Sequence, residues 1–291
     1  MKINVLFVRH CESCSNLIVH SKSRTKKIRN IKQAGIVSPN CTMLGLMQAF
    51  MFGNIVIPLI LKNFPKFQKI DFYCSILKRA MITTKIVTHG LQRSSCKVRT
   101  SPTIHRLCHI SEKVKKIEKL AVIPRVNNVS IKKSTSQLRD INKIYKKTGK
   151  TLNKKIKKET KNCNKTDFNL FMKYVLPTLN LNALNVVVTH SKFMKHNLGL
   201  KLVNNLDACL VEFDTTKNNF KIILEIKNKS KSSNDQLSEK TIKKDPIEFH
   251  YKSQKFNHKT EMKYSDYKKH MEPLSDFLQF EKKQNDITCN K

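Results

Sequence analysis

The sequence predicts an α/β protein: three layers, a mostly parallel sheet with helices on both faces, and a basic C-terminal tail. Short β-branched apolar runs alternate with segments of helical spacing, the pattern of strands covered by crossover helices. Two of the runs, Ile3 to Val8 and Ala183 to Thr189, are apolar enough to be strands buried on both faces. The hydrophobic fraction of 39% in 291 residues suits one large core diluted by polar segments.

The first strand, Ile3 to Val8, leads into a polar turn ending at Asn16 and then a basic surface loop, Ser21 to Lys32. Thr42, after Pro39-Asn40-Cys41, is placed to cap an apolar helix running from Met43 toward Pro58. The apolar stretch Met43 to Leu61 approaches the ~20 residues that cross a bilayer. It carries Gln48, Asn54 and Pro58, so a buried helix is the expectation. Asp71 to Cys74 reads as the second strand, followed by a helix from about Ile76 that Gly90 is placed to end, and Cys96 to Val98 as a third strand.

Residues 113–165 are rich in Lys and Asn with weak helical patterning and read as an inserted basic lid. Phe168, Phe171, Met172, Val175 and Leu176 then fall at helical spacing. Ala183 to Thr189 is the central strand, and Cys209 to Phe213 and Phe220 to Ile226 flank "DTTKNN" as a hairpin. The expected organisation is a folded domain over residues 1–226 and a basic, flexible tail over 227–291.

With 57 Lys and Arg against 21 Asp and Glu, the formal charge is +36. Such a field holds nucleic acid, anionic membranes or polyanionic substrates without specificity. The excess is mostly Lys spread along the chain with abundant Asn and Ile, so drift in composition explains it equally well. Nine cysteines are too sparse for a disulfide scaffold, and the N-terminus has no long apolar leader, so an intracellular, cytoplasmic protein is expected. Cys11-Glu12-Ser13-Cys14 suggests redox or zinc chemistry, but no second Cys-x-x-Cys exists to complete a zinc site.

Ligands of open α/β sheets bind beyond the carboxyl ends of the strands. Two strand ends here present histidines, His10 after "VLFVR" and His190 after "NVVVT", and the helix after "DFYCS" carries Arg79. Any one of these alone is more simply a core or surface residue. Together with Arg9 they suit a phosphoryl dianion: guanidinium offers paired donors, and neutral imidazole attacks phosphorus.

Four blocks then resemble the histidine phosphatase superfamily, of phosphoglycerate mutase-like fold. Arg9-His10-Cys11-Glu12-Ser13-Cys14-Ser15-Asn16 resembles its Arg-His-Gly-x-x-x-x-Asn, with Cys11 in place of Gly. The stretch from Ser75 through Arg79-Ala80 to Thr83 resembles its second block, Thr189-His190-Ser191 its third, and Thr42 through Gly45 to Gln48-Ala49 a supporting one.

The resemblance implies a metal-independent phosphomonoesterase that needs no cofactor, with His10 as the nucleophile forming a phosphohistidine. It implies that Arg9, Arg79 and His190 hold the phosphoryl oxygens, and that Asn16 and Ser191 contact the substrate. His10 must be neutral and His190 serves better as a cation, so their pKa values are expected to be pushed apart. Glu112 is the expected acid for the leaving group, chosen over Asp71 and Asp140 by its position after the third strand. His109 is a substitute, and an exposed Glu112 paired with nearby lysines stays open.

Mutase activity is not expected, because the Trp-rich continuation of that branch is absent and the chain has no Trp. The expected partner is a polyanionic phosphorylated substrate, small molecule or phosphoprotein, with non-specific polyanion binding and no membrane. The alternative is an inactive phosphatase fold serving as a basic binding module for nucleic acid or an acidic partner.

Overall fold

The computed structural model describes residues 1–13, 16, 41–64, 66–96, 98–107, 110, 168–201, 203–230, 247–253 and 257–262. Its strands are β1 (Lys2–Arg9), β2 (Lys69–Ser75), β3 (Arg99–Leu107), β4 (Ala183–Thr189), β5 (Ala208–Asp214), β6 (Asn219–Asn228), β7 (Ile247–Lys252) and β8 (Asn257–Met262). Its helices are α1 (Met43–Met51), α2 (Ile57–Asn63), α3 (Lys78–Gln92) and α4 (Ser191–Leu198), with a shorter helical stretch over 168–178.

Among the described residues the strands form one eight-stranded sheet in the order β3-β2-β4-β1-β5-β6-β7-β8. β1 and β4 are buried throughout, apart from Lys2 at the edge. Leu6 and Val8 of β1 pack with α1, α2 and α3 in one apolar core, and Ile3, Val5 and Phe7 pack in a second core with Phe171, Val175, Phe193 and Met194. The strand's period of two sends alternate side chains into the two cores, which is why its sequence shows no polar alternation.

The sheet is mixed rather than mostly parallel. β3, β2, β4 and β1 run parallel, and every pairing from β1 through β8 is antiparallel. β5 and β6, and β7 and β8, follow each other with only four residues between them, and connections that short permit only antiparallel neighbours. The segment 227–291, expected as a flexible tail, supplies β7 and β8, and Ile247, Phe249, Tyr251 and Met262 join the first core. Their alternation is short and interrupted by charge, so the patches look isolated until the sheet edge gathers them.

Three boundaries also differ. The third strand is Arg99–Leu107 and not Cys96 to Val98; it is an edge strand, where Pro102 is tolerated beside the register shift opposite Ile70 and Phe72. The apolar helix continues past Pro58 to Asn63 through a π-helical stretch, Phe52–Val56, where the Ile57 N–H reaches the Phe52 carbonyl. Proline lacks the N–H for the usual bond and crowds the carbonyl four residues back, and the wider turn accommodates both. Leu44–Asn63 is long and apolar enough to cross a membrane, yet 78% of its apolar window is buried inside the fold.

Gly90 does not end α3, which runs two residues further. Instead it lets the α1–α2 helix lie against α3: a Cβ there would stand 2.2 Å from the Phe50 carbonyl oxygen. The proposed lid, 113–165, lies outside the described residues.

Candidate active site

Register brings the chemistry together. Arg9 of β1 stands opposite Thr189 of β4, and Cys74 of β2 opposite Val188, so Arg9-His10, Thr189-His190 and Ser75 leave the sheet at one edge. The His10 N–H donates to the Thr189 carbonyl at 2.9 Å. The two imidazoles are buried with ring centres 5.0 Å apart.

Arg79, one residue into α3, reaches between them. Its Nε donates to His10 Nε2 at 3.0 Å, and its Nη2 lies 3.3 Å from His190 Nδ1. Guanidinium nitrogens only donate, so both contacted imidazole nitrogens accept. Each ring's proton therefore sits on the other nitrogen: His10 Nδ1–H donates to the Cys11 carbonyl and His190 Nε2–H to Ser75 Oγ, each at 2.7 Å. The lone pair of His10 at the site is on Nε2, the nitrogen that Arg79 covers.

Both histidines are held well below their ordinary value of 6.5. Burial is the main cause for each; for His10 Arg79, His190 and Arg9 add to it, and for His190 Arg79 and Arg9 do. The expectation that the pair would be driven apart is not met. Both rings share one buried space with the same two guanidinium ions, so both are pushed toward neutrality.

The remaining expected residues divide. Arg9 is buried and donates through Nη1 to the Val203 carbonyl, anchoring it beside the histidines. Asn16 turns its side-chain oxygen inward, accepting from Ser13 N at 3.1 Å, Ser13 Oγ at 2.8 Å and Asn205 Nδ2 at 3.4 Å. That oxygen shapes the loop. Ser191 opens α4 directly after His190 and is half-buried. Glu112 and His109 lie outside the described residues.

Cys11, standing where the resembling motif has Gly, points away from the two imidazoles. Its fully buried side chain turns under the start of α3, with Sγ 4.0 Å from the Arg79 carbonyl, and it is joined to Cys41 as a disulfide. Gly45 of α1 permits this packing, because a Cβ there would stand 2.5 Å from the Glu12 carbonyl oxygen.

Three positioning residues escaped the sequence reading as site members. Ser75 sets the His190 tautomer. Thr83 Oγ1 accepts from the Cys11 N–H at 2.9 Å and donates to the Arg79 carbonyl at 2.7 Å, tying the loop after His10 to the first turns of α3. Asn205 Nδ2 donates to the carbonyls of His10 and Cys11, each at 2.9 Å. Ser75 and Thr83 stand at the ends of the second block, where a signal existed; Asn205 had none.

The chain matches no protein-family model and no curated protein. Among solved structures it is similar to phosphoglycerate mutase from Plasmodium falciparum, at 14% identity and a TM-score of 0.33, over 76% of this chain and 89% of that chain. A likeness of that size says nothing about the chemistry of this site.

Proposed function

We propose that this chain is a phosphoric monoester hydrolase of the histidine phosphatase type, acting through a phosphohistidine on a polyanionic substrate in the cytoplasm. The observation that carries the reading is Arg79 bridging the accepting nitrogens of two buried, neutral imidazoles. Neutral imidazole with an unprotonated Nε2, held by Arg79 until a phosphoryl group takes over that guanidinium, is the nucleophile such chemistry needs, and guanidinium is a ready partner for phosphoryl oxygens.

In the proposed cycle the substrate's phosphoryl group draws Arg79 off His10 and takes its donors. Nε2 of His10 then attacks phosphorus as the ester P–O bond breaks. The Cys11 carbonyl, holding Nδ1–H, steadies the developing positive charge on the ring. Arg9 and Arg79 neutralise the phosphoryl oxygens, and His190 donates to them once the entering phosphate monoester has brought a proton onto its Nδ1; Asn16 and Ser191 lie at the substrate's edge, and the leaving alkoxide takes its proton from Glu112. Water attacks the phosphohistidine and releases phosphate. Hydrolysis is favoured over mutase transfer by the missing Trp-rich segment. No metal or organic cofactor enters the cycle.

The test is turnover of p-nitrophenyl phosphate by wild type and His10→Ala. Vanadate-sensitive hydrolysis with an acid-labile phosphoenzyme, both lost in the variant, is expected. The charge of +36 favours one other reading, a basic module on a silent phosphatase fold. Absent turnover together with tight, salt-sensitive nucleic-acid binding would establish that reading instead.

A further inference from the structure

The proposed cycle makes no use of the sulfur chemistry beside the nucleophile. Cys11 follows His10 directly, and Cys41 precedes Thr42, the cap of α1. Their Cα atoms are 5.9 Å apart and the two sulfurs are bonded, across a sequence separation of 30. That spacing lies within the roughly 4.4–6.8 Å that a disulfide spans without moving the backbone.

The bond sits where it can act on His10. The Cys11 carbonyl accepts the His10 Nδ1–H, and the Cys11 N–H donates to Thr83. On the other side, the Thr42 N–H donates to the Glu12 carbonyl at 2.8 Å, Thr42 Oγ1 lies 2.9 Å from Glu12 Oε1, and Ser13 bridges to Cys41. The loop that fixes the tautomer of His10 is therefore fastened to the start of α1 by hydrogen bonds and by one covalent bond.

Two unbonded sulfurs need more room than two bonded ones. Cys11 and Cys41 are fully buried, and the backbone at Glu12 already packs where Gly45 lacks a side chain. Separating the sulfurs therefore crowds the packing of residues 11–13 on α1, beside the carbonyl that holds His10.

We infer that Cys11 and Cys41 are a thiol–disulfide pair whose closure sets the nucleophile loop, so that the oxidised chain is the more active form; this rests on the reading of His10 as the nucleophile. The oxidant is a small disulfide of the glutathione class. One Cys thiolate attacks its S–S bond, giving a mixed disulfide and releasing one thiol. The second Cys attacks the mixed disulfide, forming the Cys11–Cys41 bond and releasing the second thiol. Two electrons pass from the protein to the oxidant, and the two cysteine protons end on the released thiols or in solvent. Disulfides of intracellular proteins are rare and mostly redox-responsive, in keeping with a pair beside a reactive residue.

The test equilibrates the full-length chain and Cys41→Ser in buffers of reduced and oxidised glutathione. Acid quenching, alkylation and peptide mapping then read the linkage, and p-nitrophenyl phosphate turnover reads the loop. A Cys11–Cys41 link in the oxidised buffer, with kcat/KM about tenfold above the reduced form, is expected, since ångström-scale misplacement of reacting groups costs up to about a hundredfold. Cys41→Ser should stay at the reduced level in both buffers. A Cys11–Cys14 link, or none, overturns the pair, and a link that leaves turnover unchanged overturns its control of the loop. If neither form turns over, the phosphatase reading fails separately. The linked peptide with a higher unfolding midpoint for oxidised wild type than for Cys41→Ser then upholds the pair, and equal midpoints reject it.

Discussion

His10 and His190 occupy a space that disfavours a proton on either ring. The signs follow from their folded pKa values lying below the unfolded value of 6.5. Between those values the unfolded chain binds protons that the folded chain refuses, so folding loses stability as protons become abundant. The contribution of the pair is complete above pH 6.5 and is lost as pH falls below it. Urea midpoints measured from about pH 7.5 down to about 5 should therefore decline, and His10→Gln should flatten part of that decline. The proposed hydrolysis follows the same direction: with His10 as a neutral nucleophile, the acid limb of kcat/KM should lie below pH 6.5. A limb at or above that value would place the titrating nucleophile elsewhere.

Among the elements, the helix pair behind the site holds Arg79 in place. α3 carries Arg79 in its first turn, and its later turns press against α1 and the π-helical stretch through two glycines. A Cβ on Gly53 would stand 1.9 Å from the Val87 carbonyl oxygen, and Asn54 Nδ2 donates to the Gly90 carbonyl at 3.2 Å. In an isolated helix Gly→Ala gains roughly 1 kcal/mol. At Gly90 the atom in the way is the backbone of the facing helix, which cannot swing aside as a side chain can. Overpacking of this kind costs about 1–3 kcal/mol, so Gly90→Ala should lower the urea midpoint. A raised midpoint would mean that the two helices part at no cost.

Two of the chain's 57 Lys and Arg residues, Arg9 and Arg79, stand with His10 and His190. Among the described residues Lys2, Lys66 and Lys221 all gather on Glu212, while Lys69, Lys227 and Lys259 pair with other carboxylates, in a chain of +36. If that field draws in the substrate, kcat/KM for a multiply phosphorylated compound should fall steeply as salt approaches the range where screening acts within about 8 Å. Turnover of p-nitrophenyl phosphate should fall much less. Equal salt dependence for both would assign the charge to composition.

The sheet's inner strands and the histidine pair at their ends were legible in the chain because their causes are local. A run as apolar as Ala183–Thr189, whose one interior polar residue Asn185 is itself buried, has no solvent face to offer, and a polar residue directly after it must emerge at the sheet edge. Other features depended on neighbours distant in sequence. The β7–β8 strands needed β6 to pair with, Asn205 met His10 across 195 residues, and Gly90 found its purpose only against Phe50. The sulfurs show the division most clearly. Local spacing paired Cys11 with Cys14, whereas the packing of α1 on the loop after His10 brought Cys41 to it instead, and burial in one shared space, not residue type, decided that both histidines are neutral.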